Sequence, residues 1–220
     1  MNGVQLAKLV AENADEEAQL VKELPPYVAA IGIAGREFLP EERVAAQEKD
    51  IEEIAQSYGV EMVPAIGKVT GEMVINKAST TSGENSFKDV TSDSHQDIFF
   101  VTTLDKTPQF ISAMEQMAKE AVYTKNIGVY LQPENMGTSY HCSFTLPYNE
   151  ECSAEKGKVN ALYEKASLEL LNMGAYYFRP YGIWSKLQLN RDAESYKVLT
   201  ELKEIFDPNN VMNPGKLSNN

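Results

Sequence analysis

Ile127-Gly128-Val129-Tyr130-Leu131-Gln132, the connection Pro133-Glu134-Asn135-Met136-Gly137-Thr138-Ser139, and Tyr140-His141-Cys142-Ser143-Phe144-Thr145-Leu146 form the stretch that sets the architecture. Successive side chains of a strand point to opposite faces, so a period of two marks a half-buried strand. In the first segment Ile127, Val129 and Leu131 share an apolar face, and Tyr130 and Gln132 take the other. In the second, Tyr140, Cys142, Phe144 and Leu146 are the apolar set, opposite His141, Ser143 and Thr145. Two such strands make a sheet with one greasy side and one side carrying hydroxyls, an amide and a histidine. That polar side reads either as an ordinary solvated face or as a binding surface.

Helices flank this pair. Thr107-Pro108 opens one with Phe110, Ile111, Met114, Met117, Ala118 and Ala121 at helical spacing. A second runs over about Val159 to Met173, with Gly174 at the expected left-handed cap. The methionines of these stripes read as core. Asp97 to Thr103 is an apolar strand before the first helix, and a last helix covers about Ala193 to Phe206. The order β-α-β-β-α predicts an α+β fold, a ferredoxin-like antiparallel sheet with helices on one face and a C-terminal helical tail.

Towards the N-terminus, Asp15 to Leu24 reads as a short helix stopped by Pro25-Pro26, since proline cannot donate the helical hydrogen bond. The apolar run Tyr27 to Ile33 is of strand length. Pro40 opens a helix to Tyr58 with Val44, Ile51, Ile54, Ala55 and Tyr58 as its stripe, and Val60 to Val63 reads as the next strand. These predict a β-α-β unit. Residues 76–96, rich in Ser, Thr, Asn and Asp, read as a loop. The expected organisation is a lead-in helix over 1–26, a ferredoxin-like domain over 27–173, and a C-terminal segment over 174–220.

Composition narrows the function. A net charge of −12 opposes binding to nucleic acid or to an anionic membrane, both of which need clustered Lys and Arg. The two cysteines, Cys142 and Cys152, and the two histidines, His95 and His141, are too few and too scattered for a metal site. No apolar run reaches the length of a membrane span, and no signal peptide is visible, so a soluble cytoplasmic protein is expected. G-x-G-x-x-G, the Walker loop and G-x-S-x-G are absent from this sequence.

Two further segments carry chemistry. Ala175-Tyr176-Tyr177-Phe178-Arg179-Pro180-Tyr181-Gly182-Ile183-Trp184 sets aromatic rings beside one Arg, which suits an aromatic or anionic ligand through ring packing and charge-assisted hydrogen bonds. The tail Leu202 to Lys216 contains Phe206-Asp207-Pro208-Asn209-Asn210-Val211-Met212-Asn213-Pro214-Gly215-Lys216. This tail is similar to the terminal D-P-x-x-x-x-x-P-G-K signature of FAD-linked oxidases of the vanillyl-alcohol oxidase and p-cresol methylhydroxylase family. The aromatic-Arg segment and Gln132 to Tyr148 also resemble their counterparts, in the same order.

The resemblance implies that the chain supplies the ferredoxin-like cap over a flavin and the segment returning to it. A separate FAD-binding domain is then the expected partner, beside a small-molecule substrate. Arg179 matches an Arg that stabilises phenolate in phenol-oxidising members, while Phe178 stands where they carry Tyr; Tyr177 or Tyr181 could replace it. By the same resemblance His141 orients or deprotonates substrate, Tyr130 and Gln132 line the pocket, and Asn213, Pro214, Gly215 and Lys216 touch the flavin. The nearest candidate for covalent attachment, His95, is out of register, so noncovalent FAD is expected. The implied reaction is hydride transfer from a phenolic alcohol, alkylphenol or hydroxy-acid to flavin. The related 2-hydroxyacid dehydrogenases cluster histidines around a metal, which this sequence does not. The other class of reading is a non-catalytic α+β module that binds a ligand or partner.

Overall fold

The structure, a computed structural model, describes residues 1–79, 94–179, 181–189 and 191–212. Packing divides the chain into Met1–Ser92 and Asp93–Asn220, a division that falls inside the 27–173 range. In the first unit, helices α1 (Gly3–Val10) and α2 (Ala14–Glu23) each begin at an asparagine, Asn2 and Asn13, whose side-chain oxygen accepts an orphan backbone N–H. Helix α3 spans Pro40–Ser57, two-residue strands β1 (Ala65–Ile66) and β2 (Val69–Thr70) form a small antiparallel turn, and α4 follows as Gly71–Ser79. A small core gathers Leu6, Leu9, Val10, Leu20, Leu24, Val69 and Val74.

The β-α-β unit expected here does not form. Residues 28–33 and 60–63 belong to no strand. A strand needs a hydrogen-bonding neighbour, and the first run is paired only at its start, where Tyr27 bridges Asn2 and Val28 exchanges bonds with Met1, its N–H donating to the Met1 carbonyl and its carbonyl accepting from the Met1 amino group. Ile31, Val60, Met62 and Val63 are exposed, and α3 buries none of its residues. The apolar side chains of these segments line an open groove of about 890 Å³ with Ile51 and Ile54 of α3 and Tyr58 just after it. Apolar runs of strand length thus misled, because length and composition alone do not supply a partner. The expected 76–96 loop begins in α4 and ends in a strand, and residues 80–93 lie outside the described residues.

The second unit follows the expected order. Strand β3 (Ser94–Thr102) leads through helix α5 (Thr107–Glu120) to β4 (Gly128–Glu134) and β5 (Ser139–Tyr148), and then to helix α6 (Ser153–Asn172). The sheet order is β3-β5-β4, antiparallel throughout. Beyond β3, Tyr176 forms an antiparallel bridge to Val101. With that bridge as a rudimentary fourth strand, the unit is the split β-α-β-β-α-β arrangement. Gly174 ends α6 at φ +104°, a conformation other residues rarely adopt, and the Ala175 N–H returns to the Leu170 carbonyl.

One face of the sheet contributes Ile98, Phe100, Val129, Cys142, Phe144 and Leu146 to the core. Against it lie Phe110, Met114 and Met117 of α5 and Val159, Leu162, Ala166 and Leu170 of α6. The faces are those predicted from the alternation in 127–146. Helices α7 (Ile183–Leu189) and α8 (Ala193–Phe206) complete the unit. The sequence reading anticipated α8 but missed α7, as it missed α1. Trp184 of α7 is buried, its Nε1–H donating to Ser167 Oγ at 2.8 Å.

The core holds two groups whose protonation follows the fold. Burial pushes the Cys142 thiol from 9.0 to about 12, and burial with the nearby Tyr181 and Glu164 pushes the Tyr163 hydroxyl from 10.0 to about 12. The unfolded chain loses these protons at the ordinary values, whereas the folded chain keeps them. Their stabilising contribution is therefore present below those values and lost as pH rises towards about 12. Urea unfolding followed by Trp184 fluorescence should show stability falling as pH rises from 9. Cys142→Ala should make that fall shallower; an unchanged slope would refute the thiol's part in it.

Candidate functional site

The face of the sheet turned away from α5 and α6 is built by strand register. Asp97 lies opposite Thr145, Phe99 opposite Ser143, and Val101 opposite His141; on the other side of β5, Tyr130 faces Ser143 and Gln132 faces His141. Tyr176 forms a single antiparallel bridge to Val101 of β3. Because Tyr176 pairs with Val101, the pleat sends Tyr177 into the core and Phe178 onto the open face. Phe178 then meets Phe99 at 5.7 Å and His141 at 5.9 Å between ring centroids.

This brings together five of the six residues assigned to catalysis or substrate binding. His141 stacks on Phe99 (5.9 Å, 26°) and meets Tyr130 edge-on at 6.1 Å. The Tyr130 hydroxyl donates to Gln132 Oε1 at 3.0 Å, leaving the Gln132 amide nitrogen as a donor. Arg179 Cζ lies 5.6 Å from the Phe178 ring centroid and 6.0 Å from that of Phe99. Tyr181 reaches Phe99 at 6.3 Å and Trp184 at 5.3 Å.

Tyr177 is the exception. It is buried, stacks on Trp184 at 4.8 Å, and donates its hydroxyl to the Ser167 carbonyl at 2.8 Å, so it belongs to the core. Burial pushes its hydroxyl up, and it stays neutral. The residues assigned to flavin contact, Asn213, Pro214, Gly215 and Lys216, lie outside the described residues. Phe99, Ser143, Thr145 and Asp97 share the open face. The first and last of these were not foreseen, because Asp97 to Thr103 was read as one apolar run. Its alternation Asp97, Phe99, Val101 was the available signal.

Electrostatics grade the face. Partial burial raises the Tyr130 hydroxyl above its usual range, so it acts as a neutral donor. Burial also raises Tyr181, with Arg179 pulling it down and Asp97 pushing it up. Arg179 is itself exposed. Its ring contacts are worth about 0.5–1 kcal/mol at an exposed site, too little to hold the guanidinium against a better partner. An incoming carboxylate or phenolate offers charge-assisted hydrogen bonds of about 1.5–3 kcal/mol, which is enough to recruit it.

The open face therefore combines an aromatic surface, one cation and neutral donors. Such a set fits a flat ring that carries an anionic group. The phosphate-cradling run of glycines that a dinucleotide requires is absent among the described residues. Among these residues no group of three or more His, Cys, Asp or Glu could hold a metal, and no helix is long and apolar enough to cross a membrane.

Residues 182–217 match the family described as FAD linked oxidases, C-terminal domain. No curated protein and no solved structure matches the chain. The family match supports an FAD-linked oxidoreductase to which this chain contributes part, with FAD as the cofactor and an FAD-binding domain as its counterpart.

The matched region contains α7, α8 and the turn after them. Asp207, buried, closes that turn: its Oδ1 accepts the Val211 N–H (2.8 Å), and its Oδ2 accepts the Met212 N–H (2.9 Å) and Lys203 Nζ (2.7 Å). Lys203 also donates to the Met212 carbonyl at 3.0 Å. These partners, Lys203 foremost, hold the carboxyl below its usual 3.8. The turn's stability is then present above 3.8 and lost as pH falls through the lowered value. Protection of the Val211 and Met212 amides, measured against their intrinsic exchange rates, should fall in acid, and Asp207→Asn should lower it at neutral pH. Unchanged protection in that variant would remove Asp207 as the anchor.

Proposed function

We propose that the second unit is the substrate-side cap of an FAD-dependent oxidoreductase of the vanillyl-alcohol oxidase type, acting on a phenolic alcohol, an alkylphenol or a hydroxy-acid. The observation that carries this reading is Arg179, set over Phe99 and Phe178 beside His141 on the face of the sheet turned away from α5 and α6. Arg179 binds the substrate's phenolate or carboxylate oxygen. Phe99, Phe178 and Tyr181 pack its ring, which favours the aromatic substrates of this set. Tyr130 and Gln132 line the pocket, the Gln132 amide nitrogen donates a hydrogen bond, and His141 orients the reacting hydroxyl or takes its proton. Flavin, when bound, supplies the hydride acceptor, held noncovalently and mainly by the separate domain. The tail beyond Met212 returns towards it, with Asn213 to Lys216 as contacts.

The competing reading, a non-catalytic module, is favoured by the missing phosphate cradle, and one experiment separates the two. The purified chain is mixed with FAD, alone and with an FAD-binding polypeptide of the same family, and the visible spectrum is recorded before and after adding substrate. Retained flavin that substrate bleaches supports the enzyme. Flavin lost under both conditions rules it out. In the reconstituted enzyme Arg179→Ala should lower kcat/KM by roughly 10²–10³-fold, the range for removing one charge-stabilising donor. Arg179→Lys should recover part of it, since an ammonium cannot reproduce the bidentate fork.

A further inference from the structure

Ser167 is the one polar side chain among the buried residues of α6, set beside Val159, Leu162, Ala166 and Leu170. A hydroxyl in such a place lowers helix propensity relative to alanine and is costly unless hydrogen-bonded. Here it is bonded. Ser167 Oγ accepts the Trp184 Nε1–H at 2.8 Å, and the Ser167 carbonyl accepts the Tyr177 hydroxyl at 2.8 Å. The two rings that reach this one residue lie flat against each other, 4.8 Å apart and 7° from parallel. In sequence they bracket Phe178, Arg179 and Tyr181.

Trp184 passes the anchor on. Its ring meets Phe99 edge-on at 4.9 Å and Tyr181 at 5.3 Å. Phe99 in turn lies 6.0 Å from Arg179 Cζ and 5.7 Å from the Phe178 ring, against which the guanidinium also rests. An exposed guanidinium held only by ring faces stands where those rings stand. Apolar burial is non-directional, whereas an N–H···O bond prefers a near-linear approach, so the indole N–H is what fixes the orientation of Trp184.

We propose that Ser167 is a positioning residue: by pinning the Trp184 indole it sets the rings of Phe99 and Tyr181, and through them the place of Arg179 on the open face. This rests on the reading of Arg179 as the group that binds the substrate's anionic oxygen. Ser167 is fully buried, so its effect travels through Trp184 and not through contact with a ligand.

Tyr181 reports where Arg179 stands without any substrate. Burial raises its hydroxyl, Arg179 pulls it down and Asp97 pushes it up, and Tyr163 is the other titratable group coupled to it. Its titration is read by NMR on the whole chain labelled at the tyrosine ring carbon Cζ, with Tyr181→Phe to assign the signal. Arg179→Ala should raise that titration, because the lowering charge is gone. Ser167→Ala should raise it too, and should add nothing once residue 179 is alanine, as two changes on one route do. Trp184→Phe, which keeps a ring and removes the N–H, should give the same shift and serves where Ser167→Ala does not fold. Ser167→Thr restores a hydroxyl and should return the wild-type titration.

In the reconstituted enzyme Ser167→Ala should lower kcat/KM about tenfold, within the roughly hundredfold that a displacement of about 1 Å can cost. Three results overturn the inference: a Tyr181 titration unmoved in both Ser167→Ala and Trp184→Phe, an equal shift with and without Arg179, or kcat/KM unchanged in Ser167→Ala while Arg179→Ala lowers it. If Arg179→Ala leaves kcat/KM intact while Ser167→Ala still moves Tyr181 by way of Arg179, the substrate reading fails and the positioning of Arg179 stands.

Discussion

Two backbone hydrogen bonds, from the Val101 N–H to the Tyr176 carbonyl (2.9 Å) and from the Tyr176 N–H to the Val101 carbonyl (3.1 Å), organise everything that matters in the second unit. They attach the segment after Gly174 to the free edge of β3. Because the pleat alternates, one register decides two outcomes at once. Tyr177 goes under the sheet, where it stacks on Trp184 and meets Phe100 edge-on at 6.2 Å. Phe178 goes over it, carrying Arg179 to the open face. A slip of one residue would exchange these sides, placing Tyr177 in the site and Phe178 in the core. The buried bonds from Tyr177 and Trp184 to Ser167 oppose that slip, since each would be left without a partner.

The sequence was most legible where alternation was strict. Residues 127–146 announced both strands and both faces, and α5, α6 and α8 declared themselves through helical spacing and, for α5 and α6, terminal Pro and Gly residues. It was least legible where composition stood in for geometry. The runs 27–33 and 60–63 have the residues of strands, yet strand formation is decided by a neighbour that no local window contains. Tyr177 was assigned to the ligand for its hydroxyl alone. Only the pairing of Tyr176 with Val101, a contact between distant segments, reveals that this hydroxyl is spent on Ser167. Asp97 escaped for the opposite reason: its neighbours Ile98, Phe99 and Phe100 made the strand look uniformly apolar.

The terminal motif gains a physical meaning from the same kind of accounting. Its Asp207 gathers two backbone N–H groups and the Lys203 ammonium into one turn. A helix leaves its last carbonyls unsatisfied and its direction of exit undetermined. Here the carboxylate captures the chain on the far side of the turn and fixes its direction as far as Met212. The family match across 182–217 includes this device in full.

Arg179 supplies the last constraint. In bulk water two unit charges 4 Å apart interact by about 1 kcal/mol, and at the higher effective field of a partly screened site by about 4 kcal/mol. An exposed guanidinium sits near the first limit. The catalytic worth argued for it, of order 3 kcal/mol, belongs to a dry pocket. On the function proposed for it, Arg179 therefore requires a second surface over the open face before it can discriminate a transition state from a ground state. The sheet already holds the rigid parts of such a pocket: Phe99 and His141 in paired strands, Tyr130 tied to Gln132, and Asp97 tied to Thr145. What it lacks among the described residues is a roof and a phosphate cradle, and a flavin-bearing domain would provide both.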